Sequence, residues 1–126
     1  MRYFLAYHNA KKMRYSCTAI PEPRVKTSKS VVGLEGATVW LVAGEGERPK
    51  RYYLASKFVI EKCEPDKYVG KKLRNEVSGS GVLLGLGVSL DALPLLMHIK
   101  KISANFVNGF FELRDARAIA DLKALL

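Results

Sequence analysis

Residues 36 to 64 read GATVWLVAGEGERPKRYYLASKFVIEKCE, from Gly36 to Glu64. Two runs rich in β-branched and aromatic residues, Thr38–Ala43 and Arg51–Lys62, flank Gly44-Glu45-Gly46-Glu47-Arg48-Pro49. Extended runs separated by Gly and Pro predict a β-hairpin. The apolar positions of the second arm, Leu54, Phe58, Ile60 and Cys63, do not alternate perfectly. A bulge or bend near Ser56-Lys57 accounts for the break, as in a strongly curved strand. A bent arm of this length suits the wall of a small curled barrel.

The same hairpin holds the single Trp, Trp40, the pair Tyr52 and Tyr53, and the cations Arg48, Lys50 and Arg51. Aromatic faces beside positive charge are what a protein needs to hold a base and its phosphates. Neighbours on a strand face opposite ways, so Trp40 points away from Val39 and Leu41, and only one of the two tyrosines can share its side. A Trp–Tyr pair would sandwich a base lifted from a helix, at ~1–3 kcal/mol per stacked base. The competing reading packs Trp40 into a second small core beneath the helices.

Upstream, Tyr3-Phe4-Leu5-Ala6-Tyr7 is apolar on both faces and predicts a buried first strand. His8 and Asn9 end it, and Lys11-Lys12-Met13-Arg14 forms a basic turn. Ser16–Ile20 predicts a second short strand, stopped by Pro21-Glu22-Pro23. Arg24–Ser30 has the Lys, Thr and Ser composition of an exposed loop, the kind that often borders a binding site.

Downstream, Glu64–Lys67 reads as a turn, and Lys71–Asn75 starts either a strand or a helical turn. Ser78–Gly81 reads as a flexible break, and Val82–Gly87 as an apolar strand too rich in glycine for a helix. One helix is expected from near Leu90, capped by Ser89 or Asp91, with Pro94 in its first turn and Leu93, Leu96, Met97 and Lys100 on one face. It ends near Ile102-Ser103. Asn105–Phe111 reads as a loop and short strand. Asp115 caps a last helix carrying Ile119, Leu122 and Leu125 at helical spacing.

A chain of 126 residues predicts one domain, 1–126, or the N-terminal part of a longer protein. With 21 Lys and Arg against 12 Asp and Glu, the net charge is +9, which favours an anionic partner. Residues 1–30 carry Arg2, Lys11, Lys12, Arg14, Arg24, Lys26 and Lys29 against Glu22. Two cysteines, Cys17 and Cys63, make no disulfide framework. Polar residues follow the first strand too soon for a signal peptide, and no run approaches the ~20 apolar residues of a membrane span. The reading is a cytoplasmic protein with no membrane partner and reduced thiols.

Catalytic and metal chemistry find little here. Cys17, Cys63, His8 and His98 occur singly, outside any nucleophile signature, and their spacing fits no zinc site. Gly79-Ser80-Gly81 with Gly85 and Gly87 lacks the fingerprint spacing and any Gly-Lys-Ser/Thr, so these glycines are read as marking bends or close backbone approach. No cofactor is expected.

A short aromatic N-terminal strand, a basic loop, a hairpin with a central Trp, an apolar strand, then Asn105–Phe111 and a terminal helix together resemble the PUA-like superfamily, which includes EVE, YTH and ASCH domains. The likeness covers most of the chain and is one of layout. It implies an α+β fold, a small curled β-barrel flanked by helices, with a C-terminal helix. It also implies binding of RNA or DNA, with one modified base extruded into an aromatic pocket. Some such domains are the N-terminal specificity modules of modification-dependent restriction enzymes, so a fused or associated nuclease or NTPase domain is an implied partner.

The expected function is therefore a non-enzymatic nucleic-acid-binding module, DNA favoured over RNA, reading a flipped base. From their chemistry, Trp40, Tyr52, Tyr53, Asn9 and Ser30 are the base-binding candidates. Lys11, Lys12, Arg14, Lys26, Lys29, Arg48, Lys50 and Arg51 are the phosphate-binding candidates, supplying salt-dependent affinity. The alternatives are an RNA-binding or RNA-processing protein of the same fold, and a subunit whose basic face docks an acidic protein.

Overall fold

The structure is a computed structural model and describes residues 1–65 and 75–126. Of the turn expected at Glu64–Lys67, Glu64 and Pro65 are still strand; the rest of it and most of the run Lys71–Asn75 lie outside the described residues, and Asn75 opens a strand. Elements follow in the order β1 (Tyr3–Asn9), α1 (Ala10–Met13), a single 3-10 turn (Cys17–Ala19), β2 (Arg24–Thr27), β3 (Thr38–Glu45) and β4 (Arg51–Pro65). They continue with β5 (Asn75–Leu83), α2 (Pro94–Ile102), β6 (Phe110–Glu112) and α3 (Ala116–Leu125). Among the described residues the six strands form one sheet in the order β2-β5-β4-β3-β1-β6. The pair β1–β3 is parallel, and β1–β6, β3–β4, β4–β5 and β2–β5 are antiparallel.

The central hairpin forms as β3 and β4. Its register shifts between Leu41 and Val42, which pair with Ser56 and Leu54, so Ala55 is the extra residue of a bulge. The bulge lies one residue before the predicted Ser56-Lys57. A second shift falls between Ile60 and Lys62 against β5. Bulges bend a strand and increase its twist. Here they help curl the sheet into a half-barrel. Val25 of β2 and Phe110 of β6 stand on opposite edge strands yet share one buried cluster with Phe4, Val39, Leu41 and Phe58.

That cluster fills the concave side. The convex side carries a second cluster, in which Leu5, Trp40, Val42 and Leu54 of the sheet meet Leu95, Leu96 and Ile99 of α2 and Ala118 and Leu122 of α3. Both faces of β3 are covered, which is why that strand reads as a continuous apolar run. Asp115 caps α3 as predicted, its carboxylate accepting from the Ala118 amide at 2.8 Å. His98 of α2 reaches the same carboxylate at 2.9 Å.

Several expectations are corrected. Ser16–Ile20 forms a 3-10 turn rather than a strand, because the Ser16 side chain accepts from the Thr18 amide and closes it. Arg24–Thr27 is strand rather than loop: its polar composition hides an alternation that buries Val25 and Thr27 against β5. Ser78–Gly81 lies inside β5, and only Val82 and Leu83 of the following apolar run remain in strand. Helix α2 begins at Pro94 with Leu93 as its cap residue. Asp91 is drawn off to accept from the Tyr52 amide at 2.9 Å. The buried stripe of α2 is Leu95, Leu96 and Ile99, while Met97 faces outward. No described helix is long and apolar enough to cross a membrane.

The glycines of β5 are placed by close backbone approach. A Cβ on Gly79 would stand 1.8 Å from the Val59 carbonyl oxygen, and one on Gly81 would stand 2.0 Å from that of Lys57. Neither backbone oxygen can yield without breaking the β4–β5 ladder. Gly81→Ala is therefore expected to lower unfolding stability in urea by about 1–3 kcal/mol or more, the usual cost of overpacking. Gly109→Ala, where the added carbon meets nothing within 4 Å, is the control that should change little.

Candidate functional site

A cavity of ≈ 710 Å³ opens where the two edges of the half-barrel face each other. Asn9, at the end of β1, and Lys12 and Met13 of α1 form one lip. Arg24, Lys26 and Thr27 of β2, with Ser28 and Lys29 beyond it, form the other. The floor is apolar, made by Ile20, Val25, Leu41 and Phe110. Tyr15 and Val107 complete the wall, and Tyr7 and Phe106, whose rings pack in the convex cluster, border it. The volume falls in the ~300–1,000 Å³ range of small-molecule sites.

Each lip is positioned by local chemistry. Asn9 caps α1, its Oδ1 accepting from the Lys12 amide at 3.3 Å, which directs the basic turn at the cavity mouth. The Thr27 hydroxyl accepts from the Lys29 amide at 3.1 Å and fixes the turn leaving β2. Among the described residues, Lys12, Lys26 and Lys29 have no carboxylate within ion-pair distance, while Arg24 lies 3.8 Å from Glu76 and 4.0 Å from Glu22.

Two further anchors shape the wall. Glu45 accepts hydrogen bonds from the Ser16 hydroxyl and, at 3.0 Å, from the Cys17 amide, tying the segment after α1 to the end of β3. The Tyr15 carbonyl of that segment accepts from His8 Nε2 at 2.9 Å. On the opposite wall the chain makes a left-handed turn, with φ of 52°, 57° and 64° at Ala104, Asn105 and Phe106. Successive non-glycine residues in this region are strained. The buried Ser103 holds the turn, its hydroxyl accepting from the Phe106 amide at 3.0 Å and its carbonyl from the Asn108 amide at 3.2 Å. Phe106 then stacks on Tyr7, ring centres 4.2 Å apart.

Protonation follows this packing. Burial works to raise the Glu45 carboxyl, but the bonds from Ser16 and Cys17 outweigh it and hold Glu45 below its ordinary value. Burial, reinforced by the nearby Glu45, pushes the Cys17 thiol up to about 12. Burial, with the nearby charges of Tyr52 and Glu45, does the same to Tyr7. Burial also raises Cys63, with Glu35 adding to it. Both thiols are held protonated, the opposite of what a nucleophilic cysteine needs. Among the described residues no group of three or more His, Cys, Asp or Glu could hold a metal ion.

The structure separates the candidates read from the sequence. Asn9, Lys12, Lys26 and Lys29 come together at this cavity. Trp40 does not: it is 0 % exposed beneath α2 and α3, stacked on Tyr3 with ring centres 5.4 Å apart, so its face is closed to a base. Its strand position between Val39 and Leu41 points it to the convex core, the competing reading of the same alternation. Tyr52 joins that convex cluster, its ring under Lys100 Nζ at 4.3 Å. Tyr53, Ser30 and Arg14 do not line the cavity, nor do Arg48, Lys50 and Arg51 at the end of the hairpin. Arg51 lies 3.9 Å from Asp91, and Lys11 pairs with Glu47.

Sequence reading missed His8, Tyr15, Arg24 and Thr27 as site residues. His8 was legible in part: it continues the concave set Phe4 and Ala6 at every second position. The others depend on how the edges meet. Comparison with family models, with curated proteins and with solved structures finds no match for the chain.

The Glu45 anchor gives a pH test. Its folded value lies below the ordinary 4.5, so it stabilises the fold above that value and loses the contribution as pH falls through the folded value. Melting curves should show wild type above Glu45→Gln at neutral pH, with the gap closing on acidification below the ordinary carboxylate range. A gap that persists unchanged at pH 3 would show that the charge does not matter.

Proposed function

We propose that the chain is a nucleic-acid-binding module of PUA-like layout that lodges one extruded base in the seam cavity and holds the flanking phosphates with the lysines around it. DNA is favoured over RNA, as in the sequence reading. The observation that carries this is the coincidence of an apolar, aromatic-walled cavity with Lys12, Lys26 and Lys29, none of which has an acidic partner among the described residues. The hydrophobic floor suits a base stripped of water, and the cations suit the polyanion from which it comes. In this reading Tyr15 and Phe110, rather than Trp40 and the hairpin tyrosines, supply the aromatic faces of the cavity.

Fluorescence anisotropy with single- and double-stranded DNA and RNA oligonucleotides at two salt concentrations tests the reading. Lys26→Gln with Lys29→Gln should weaken binding to every sequence and flatten the log–log salt slope by about 0.7–0.9 for each phosphate no longer neutralised. Arg48→Gln with Arg51→Gln should do markedly less. A reversed order would move the phosphate-binding surface to the hairpin end. No binding to any oligonucleotide at low salt would discard the reading in favour of an acidic protein partner.

A further inference from the structure

We propose that the cavity selects a base carrying an exocyclic amine, adenine or cytosine, and that His8 is the residue that reads it. The inference rests on the nucleic-acid reading above and adds the chemistry of the buried end of the ligand.

Two polar side chains of the lining are themselves buried: His8 at 6 % exposure and Thr27 at 4 %. Their bonding leaves an acceptor free on His8 and a donor free on Thr27. A carbonyl oxygen can only accept, so the 2.9 Å approach of His8 Nε2 to the Tyr15 carbonyl places a proton on Nε2. In the neutral ring Nδ1 is then an acceptor, and it has no hydrogen-bond partner among the described residues. The ring is fixed in place, since it also packs against Tyr15 with centres 5.0 Å apart. The Thr27 oxygen already accepts from the Lys29 amide, which leaves its hydroxyl proton to donate.

The remaining polar groups of the lining differ in kind. Lys12, Arg24, Lys26 and Lys29 are donors only, the Asn9 oxygen already accepts from the Lys12 amide, and the hydroxyls of Tyr7, Tyr15 and Ser28, which can also accept, belong to residues less buried than His8 and Thr27. A buried acceptor and a buried donor lining one cavity suit a base that presents an amine and a ring nitrogen on one edge, as adenine and cytosine do. A base without the amine leaves Nδ1 desolvated and unpaired, which costs more than the bond contributes. Selectivity follows from that asymmetry, while the lysines supply affinity without regard to sequence.

The test compares single-stranded DNA oligonucleotides that differ at one central position: adenine against unsubstituted purine, and cytosine against 2-pyrimidinone. Each pair differs only by the amine. Wild type should bind the amine-bearing member of at least one pair about fivefold or more tighter, the value of one net hydrogen bond. His8→Phe keeps a ring against Tyr15 and removes the acceptor; it should bind both members alike while keeping the salt dependence of wild type. Thermal melting shows whether that variant folds, and the wild-type comparison stands without it. Equal wild-type affinity within both pairs overturns the role of His8 and leaves the nucleic-acid reading intact, as does discrimination that survives in folded His8→Phe. Failure of every oligonucleotide to bind at low salt removes both.

Discussion

The close approach of β4 and β5 is the constraint on which the rest of this fold depends. Gly79 and Gly81 face backbone oxygens of β4 at distances no side chain tolerates, and the register shifts at Ala55 and Glu61 turn the longer strand as it passes. A flat sheet in the same strand order would hold β2 and β6 far apart. Curling brings both edges to one cavity, so residues from the start, the first third and the last fifth of the chain become neighbours. The two buried clusters follow from the same geometry, one inside the curl and one between its outer face and the helices.

The site is a product of the unclosed seam. Edge strands offer unpaired backbone groups and invite association, and short or charged edges are the usual defence. Here β2 and β6 are short, and β2 carries Arg24 and Lys26 on its exposed positions. The cations that protect the edge also ring the opening of the cavity. The Ser103 turn closes the far side in a left-handed conformation that its own hydrogen bonds sustain. Strain held next to a cavity is a common mark of a binding site.

The hairpin, the first strand, the bulge, the Asp115 cap and the short final strand were all legible, because each rests on local signals: alternation, Gly-Pro punctuation and capping chemistry. Strand β2 was not, since two buried residues among cations look like a loop until β5 supplies a partner. Helix α2 starts later than expected because Asp91, a good cap in isolation, is used by the Tyr52 amide across the molecule. The half-barrel was anticipated in outline, and the basic loops contributed Asn9, Lys12, Lys26 and Lys29 to the cavity. Trp40 stood between two readings, and the structure buries it in the convex core for a definite reason. Strand alternation says that it opposes Val39 and Leu41, and it cannot say that the second face is also covered. His8 shows the converse: its meaning depends on a carbonyl seven residues on, which only the folded chain brings to it.

Hydrogen exchange of the free protein against the protein with a saturating single-stranded DNA oligonucleotide tests the central claim most directly. Protection confined to 9–15, 24–29 and 106–110, on both sides of the seam at once, is the predicted result. Protection centred on 48–51, or none near β2, would contradict it and place any ligand outside the curl.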